Sequence, residues 1–369
     1  MPHRAKAERG VPAVNAFCFY FGRSTWALHA RAFLRALHQR RPVRIIPLEP
    51  PTPNEHLTAI DHEMLSDIGP VDESLSAIGI GSVECMRSLR GQRRIAFVVF
   101  ETTRLPPHHC DILLSMTEVW TPSTWGRDVL VKNGLDPTRV FTVPEGVDAE
   151  FFHPAETPTP HKRFRFLCVG KWETRKSTAD LVRCFAEEFS SQEDVELVLH
   201  AHNPWLTSFS LEREIAAALG HGHPHARIIA SPPVSAEQLR ALYRSSDAFV
   251  LPTRGEGWGL PLLEAMACGL PVIATHYSAP ADYLDDSVGY PLRVSSMVTA
   301  HDPLFFTPGV DYGLWAQPDL AHLRQLMRHT VKHREEAAAK GRLARAAICS
   351  RWTWDHAAAL ACDRLDCNP

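Results

Sequence analysis

Short apolar strands alternate with amphipathic helices along this chain; the alternation breaks at a proline-rich stretch and then begins again. Residues 14–20 read as a buried strand, and 26–40 follow with Leu28, Phe33, Leu34 and Leu37 at helical spacing. Residues 43–48 form a second strand, after which four prolines between 47 and 53 predict a loop. The continuous apolar run at 94–100 is typical of a central parallel strand. Residues 118–123 end a strand at a helix cap, and 140–143 close the half. Pro154, Pro158 and Pro160 then mark a polar linker over 152–163. Beyond it, strands are predicted at 164–169, 195–200, 228–229, 248–251 and 272–274, separated by helices at 178–189, 211–219 and 237–244. Strict alternation implies right-handed parallel units, so each half is expected to be a doubly wound α/β sheet. Two such halves would face each other across a cleft, the usual ligand site of this architecture. The expected domains are residues 1–155 and 156–350. A helix pair is expected over 319–345, and the tail 351–369 carries a final helix over 355–365.

With 369 residues, two cores are affordable. Hydrophobic residues make up 45% and charged residues 22%, an ordinary globular composition. A formal net charge of −3 argues against a nucleic-acid partner. Nine cysteines without a C-x-x-C pair fit a reducing, cytoplasmic setting. Residues 11–21 are too short and polar for a signal segment, and no apolar run is long enough to span a membrane. The helix over 26–40 carries Arg31, Arg35, His38 and Arg40, with Arg41 just after it. It reads either as a core-facing helix with a solvated face or as a peripheral contact with the inner face of a membrane.

The densest chemistry lies at 255–272, Gly-Glu-Gly-Trp-Gly-Leu-Pro-Leu-Leu-Glu-Ala-Met-Ala-Cys-Gly-Leu-Pro-Val. Glu256 sits in a glycine-rich turn; Glu264, eight positions on, sits in a helix that opens at Pro261 and closes before Gly269. Free backbone N–H groups at such a helix start attract anions. Two acids flanking a phosphate cradle point to sugar and ribose hydroxyls, groups that a nucleotide sugar combines.

This segment resembles the E-x7-E region of retaining glycosyltransferases of family 4, which have the GT-B fold of two Rossmann-like domains. Val143-Pro144-Glu145-Gly146-Val147-Asp148 resembles that family's link between domains, and Gly170-Lys171-Trp172-Glu173-Thr174-Arg175-Lys176 its basic phosphate-binding turn. Residues 234–252 resemble the run into the acidic motif. The resemblance implies transfer of a hexose from a nucleotide-diphosphate sugar to a glycan, lipid-linked or small-molecule acceptor, with retention at the anomeric carbon. It implies no metal and no cofactor beyond the donor. It also implies that the last helix crosses back to the first domain.

Carried over residue by residue, the resemblance gives Lys171 and Lys176 to the diphosphate, with Arg175 beside them. It gives Glu264 to the ribose hydroxyls and Glu256 to the donor sugar. Backbone N–H groups of Gly257, Trp258, Gly259 and Leu260 would meet phosphate or sugar. The family more often has Arg at position 171 and Gly at 177, where this chain has Lys171 and Ser177. Glu101 stands where many members carry His; it either holds a sugar hydroxyl or stabilises positive charge on the anomeric carbon, or it caps a helix start. Gly22, in Gly22-Arg23-Ser24-Thr25, matches a loop that approaches the diphosphate and is usually richer in glycine.

Other patterns carry less. Residues 79–82, a lone G-x-G, are read as a tight turn. Asp285 and Asp286 are adjacent rather than in metal-binding Asp-x-Asp spacing. His221, His223 and His225 are read as a surface loop, and His108-His109-Cys110 as lacking a spaced partner. No G-x-S-x-G elbow or P-loop is present. The rival readings are a sugar-nucleotide epimerase or phosphorylase on the same fold, and a non-catalytic subunit that binds nucleotide sugar.

Overall fold

The computed structural model describes residues 11–367 apart from 23, 52–56, 67–69, 157–161, 207 and 221–226. The histidine loop at 221–225, Arg23, and Pro158 and Pro160 of the linker therefore lie outside the described residues. The chain divides into two compact units. One comprises the residues up to Phe100, Arg104–Gly146 and those from Trp352; the other comprises Glu101–Thr103 and Val147–Arg351.

The first unit runs β1 (Val14–Cys18), α1 (Thr25–His38), β2 (Val43–Pro47), α2 (Ala59–Ser66), β3 (Ser76–Ile80), β4 (Arg94–Phe97), α3 (Pro107–Leu114), β5 (Glu118–Thr121), α4 (Thr124–Lys132) and β6 (Val140–Thr142). Its six strands are parallel, in the order β2-β1-β3-β4-β5-β6. Every residue of β1 and β5 is buried, as strands covered on both faces require. Serine side chains start the helices that follow them: Ser24 accepts from Ala27 N–H and Ser123 from Gly126 N–H.

One expectation is corrected here. Gly79 and Ile80, read as a tight turn, end strand β3. A Cβ on Gly79 would lie 2.5 Å from Met86 Sδ, so glycine there serves packing rather than turning. On and just beyond α1, three of the arginines are committed to partners within this chain. Arg31 donates to the carbonyls of Tyr20 and Gly22, Arg35 grips Asp61, and Arg41 just beyond pairs with Asp366. Among the described residues no helix is long and apolar enough to cross a membrane.

The second unit runs β7 (Phe164–Lys171), α5 (Thr178–Glu188), β8 (Val195–His202), α6 (Leu211–Leu219), β9 (Ile228–Ala230), α7 (Ala236–Arg244), β10 (Ala248–Leu251), α8 (Leu260–Ala267), β11 (Val272–Thr275), β12 (Gly289–Leu292), β13 (Val294–Thr299), β14 (Leu314–Pro318), α9 (Leu320–Lys332) and α10 (Arg334–Arg351). Its parallel sheet has the order β12-β11-β10-β7-β8-β9, so both units are doubly wound and Rossmann-like. β12 and the antiparallel hairpin β13–β14 were not anticipated from the sequence. Helix α7 opens with a reciprocal capping box between Ser235 and Gln238.

The last helix, α11 (Trp354–Asp366), belongs to the first unit. Its Ala357, Ala358, Ala361 and Leu365 join Phe33, Leu34 and Leu37 of α1 in one core. Glu118 fixes its end, accepting from Arg364 at 2.9 Å and from Arg93, whose guanidinium also donates to the carbonyls of Leu365 and Cys367.

Candidate active site

In the second sheet the chain builds outward from β7 through β8 and β9, then returns to add β10 on the other side. The carboxyl ends of β7 and β10 thus form the topological switch point, where open α/β sheets bind ligands. Both charged motifs emerge there. Lys171 ends β7, a short 3-10 segment carries Arg175 and Lys176, and Glu256 lies in the turn between β10 and α8.

The turn after β7 closes through Ser177, whose φ of 51° is left-handed. Glycine adopts this conformation without the Cβ penalty, which explains why Gly would be favoured at this position. Ser177 Oγ offsets part of the strain by accepting from Arg254 Nε at 3.0 Å. The turn is pinned to the acidic motif by Arg254 N–H donating to the Arg175 carbonyl at 2.7 Å.

Helix α8 begins at Gly259 with φ 97°, and a Cβ there would lie 2.7 Å from Tyr283 Oη. Both conformation and space require glycine. At its other end Gly269, φ 80°, donates to Met266 and Leu270 donates back to Ala265, closing the helix as the sequence implied. Among the described residues the N–H groups of Gly257, Gly259 and Leu260 have no protein acceptor, while Glu256 N–H is taken by Ser278 Oγ at 2.8 Å. Trp258 is buried, and its carbonyl accepts from Tyr283 Oη.

The charges form one cluster. Lys176 Nζ donates to Glu256 Oε1 at 2.7 Å; Arg175 contacts the same oxygen at 3.2 Å, Glu173 at 2.5 Å and Glu101 at 3.4 Å. Burial raises the Glu256 carboxyl's pKa, but Lys176 and Arg175 outweigh that and hold it below its ordinary value. Burial works against the Arg175 charge too, yet Glu101, Glu256 and Glu173 raise its pKa. Two cations thus face three carboxylates. The side chains of Glu173 and Glu256 are 5% exposed, but Glu101 is 36% exposed and is the carboxylate a ligand can reach.

Lys176 and Arg175 are therefore inward-facing partners of the acids rather than a solvated basic turn. Lys171 differs. Among the described residues its ammonium has no hydrogen bond or ion pair and lies 5.7 Å from the Phe305 ring centroid. Glu264 is half-buried, and its Oε2 accepts from Tyr243 Oη at 2.7 Å. Burial pushes its carboxyl up to about 7, although the Tyr243 hydrogen bond pulls the other way.

Gly22 is the one predicted site residue in the first unit. Its N–H and that of Phe21 donate to Glu49 Oε1 at 3.1 and 2.6 Å, so the loop's amides already hold a carboxylate of this chain. Sequence reasoning assigned no role to Glu173, Tyr243, Ser278, Tyr283 or Glu49. Glu173 stood inside the quoted basic turn, but its pairing with Arg175 two residues on needed the fold of the turn. His109 Nε2 lies 2.5 Å from Glu84 Oε1, and His108 Nε2 lies 3.7 Å from it. This corrects the reading that these histidines lack a partner; the three side chains could supply ligand atoms to one cation.

Residues 163–303 match the family model for glycosyl transferases group 1. The D-inositol 3-phosphate glycosyltransferase of Acidothermus cellulolyticus is 27% identical over 229 residues, 59% of this chain and 48% of that protein. The protein of the same name from an Arthrobacter species is 34% identical over 150 residues, 38% of this chain and 34% of that protein. The chain thus spans at most about half the length of these curated relatives. Among solved structures, sucrose-phosphate synthase of Thermosynechococcus elongatus aligns with a TM-score of 0.69 at 15% identity, over 96% of this chain and 98% of that one. Anabaena HepE, in complex with UDP and glucose, aligns with a TM-score of 0.67 at 11% identity, over 97% and 100%. Residues 163–303, within the second unit, are thus similar to a glycosyl transferases group 1 domain, and the chain has the fold of the GT-B glycosyltransferases.

Proposed function

We propose that this chain is a retaining, metal-independent glycosyltransferase that moves a hexose from a nucleotide-diphosphate sugar to a glycan, lipid-linked or small-molecule acceptor. The observation that carries the reading is that the two loops at the switch point offer, among the described residues, a Lys171 ammonium without a hydrogen bond or ion pair after β7 and N–H groups of Gly257, Gly259 and Leu260 without a protein acceptor at the start of α8. A helix N-terminus with open amides, together with a cation at the same end of the sheet, suits a diphosphate. Relatives named for D-inositol 3-phosphate support including that compound among the acceptors tested.

In the mechanism, Lys171 and the α8 amides take the charge that grows on the leaving diphosphate, preorganised donors being the largest usual contribution to such a barrier. Lys176 gives one of its three N–H groups to Glu256, and the others remain for phosphate. Oε1 of Glu264 accepts from a ribose hydroxyl while Tyr243 holds the other oxygen in place. Glu101 orients the hexose, while buried Glu256 holds Lys176 and Arg175 in place beneath the donor. The acceptor enters on the leaving-group face, and its proton passes to the departing phosphate, so a nucleophile–acid carboxylate pair is not needed. We place the reaction in the cytoplasm, in glycan or polysaccharide assembly.

The test is incubation with UDP-, GDP-, ADP- and TDP-hexoses, an acceptor panel and excess chelator, followed by NMR of the product. An α-linked product from an α-linked donor, formed with the chelator present, supports the reading. Phosphate acting in place of the acceptor, an epimerised donor, or donor binding without turnover over every acceptor and water would replace it. Loss of transfer on chelation would overturn metal independence.

A further inference from the structure

Three consecutive residues of the β13–β14 hairpin bond to the cluster's two chain segments. Leu314 N–H donates to Thr103 Oγ1 at 2.8 Å, Trp315 Nε1–H donates to the Glu101 carbonyl at 2.9 Å, and Ala316 N–H donates to the Arg254 carbonyl at 2.9 Å. Residues 101–103 are thereby tied into the second unit, although their neighbours Phe100 and Arg104 belong to the first. The approach is close: a Cβ on Gly255 would lie 2.9 Å from the Glu101 carbonyl oxygen and 3.6 Å from Trp315 Cδ1. Gly255 is thus bare where Glu101 and the indole press on the acidic turn.

The indole is itself firmly set. Trp315 is 2% exposed and packs against Phe306, which stacks on Tyr312 at 4.0 Å. Asp302 orders the loop before them, accepting from the N–H groups of Leu304 and Phe305. An ordered anchor of this kind has a purpose if it aims something. What it aims is Glu101, the one carboxylate of the cluster open to a ligand, held at 3.4 Å from Arg175.

We propose that Trp315 is a positioning residue that, through its indole N–H, fixes Glu101 where the hexose of the donor is read, so that the hairpin sets the enzyme's grip on the sugar independently of its grip on the nucleotide. This rests on the function proposed above and extends it to a residue outside the motifs that suggested it. Glu101 accepts from sugar hydroxyls; Trp315 acts on the sugar only through the Glu101 carbonyl it holds. The excess of carboxylates over cations around Arg175 favours neutral hexoses over uronic acids.

The experiment measures, on the full chain, affinity for UDP and for UDP-glucose, with the GDP, ADP and TDP pairs tried in the same way, in wild type, Trp315→Phe, Glu101→Gln and the double variant. Trp315→Phe keeps an aromatic ring and removes the N–H donor. Expected is UDP affinity within twofold of wild type, a fall of fivefold or more in the advantage of UDP-glucose over UDP, and a double variant no worse than Glu101→Gln alone. The preference for UDP-glucose over UDP-glucuronate should fall in both single variants. Equal loss of UDP and UDP-glucose affinity in Trp315→Phe would reveal general damage and overturn the inference. So would an unchanged sugar advantage, or additive losses in the double variant. A wild type that binds none of the nucleotides would instead overturn the parent function.

Discussion

Replacing Glu264 with Gln should make the protein more stable and a poorer nucleotide binder, and the stability gain should depend on pH. The carboxyl moves from its ordinary 4.5 up to about 7 through burial beside the Tyr243 ring. Between those two values the folded protein keeps a proton that the unfolded chain has released, so stability falls as pH rises from 4.5 through 7. At about 1.4 kcal/mol per tenfold change in acidity the full penalty above pH 8 is about 3 kcal/mol. Glu264 is only half-buried, and screening reduces this to about 1–2 kcal/mol. Gln keeps an acceptor for Tyr243 Oη and cannot ionise. Its melting temperature should match wild type near pH 5 and exceed it by about 3–6 °C at pH 8.5. Nucleotide affinity of the variant should fall roughly tenfold, since a charged acceptor for the ribose is lost. For the same reason wild-type affinity should rise between pH 6 and 8. Melting curves across pH 5–8.5 and titration calorimetry read both effects. A gap that does not change with pH, or a variant less stable throughout, would refute the assignment of a strained, ligand-directed carboxylate.

Lys171 makes no polar bond within the described residues, so Lys171→Ala should leave the melting temperature within a degree or two and weaken diphosphate binding about tenfold; unchanged UDP affinity in calorimetry would remove it from the site. Glu256→Ala strands Lys176 and Arg175 with less compensation, at a cost of about 3 kcal/mol, and denaturant unfolding that matches wild type would show the pair to be idle. Gly259→Ala must place a Cβ at φ 97° and 2.7 Å from Tyr283 Oη; a loss of about 2 kcal/mol is expected, together with weaker nucleotide binding as the amides turn, and a neutral result by thermal melting would contradict the geometry.

Most of the framework was legible because a parallel strand covered on both faces leaves a continuous apolar run, as at 164–169 and 248–251. Helix α8 was readable to within a residue because Gly259, Pro261 and Gly269 punctuate it. β3 was lost because Gly79 mimics a turn when its packing partners Met86 and Leu89 are unknown. The hairpin escaped because β13 is polar and largely exposed, so its alternation carries little apolar signal. At the site, Lys176, Arg175, Glu256 and Glu101 come together, and their pairing was not visible in the sequence. Sequence spacing makes Lys176 a basic-turn cation; only the sheet order puts it within 2.7 Å of Glu256, eighty residues away. Trp315 lies farther still from Glu101, and no periodicity links them.

The proposed mechanism requires the diphosphate to sit between Lys171 and the start of α8. A crystal structure of the protein grown with the tightest-binding nucleotide diphosphate tests that placement directly. The account predicts phosphate oxygens within hydrogen-bond distance of the Gly257, Gly259 or Leu260 amides and of Lys171 Nζ, with the ribose on Glu264. A nucleotide bound elsewhere, with those amides and Glu264 untouched, would contradict it.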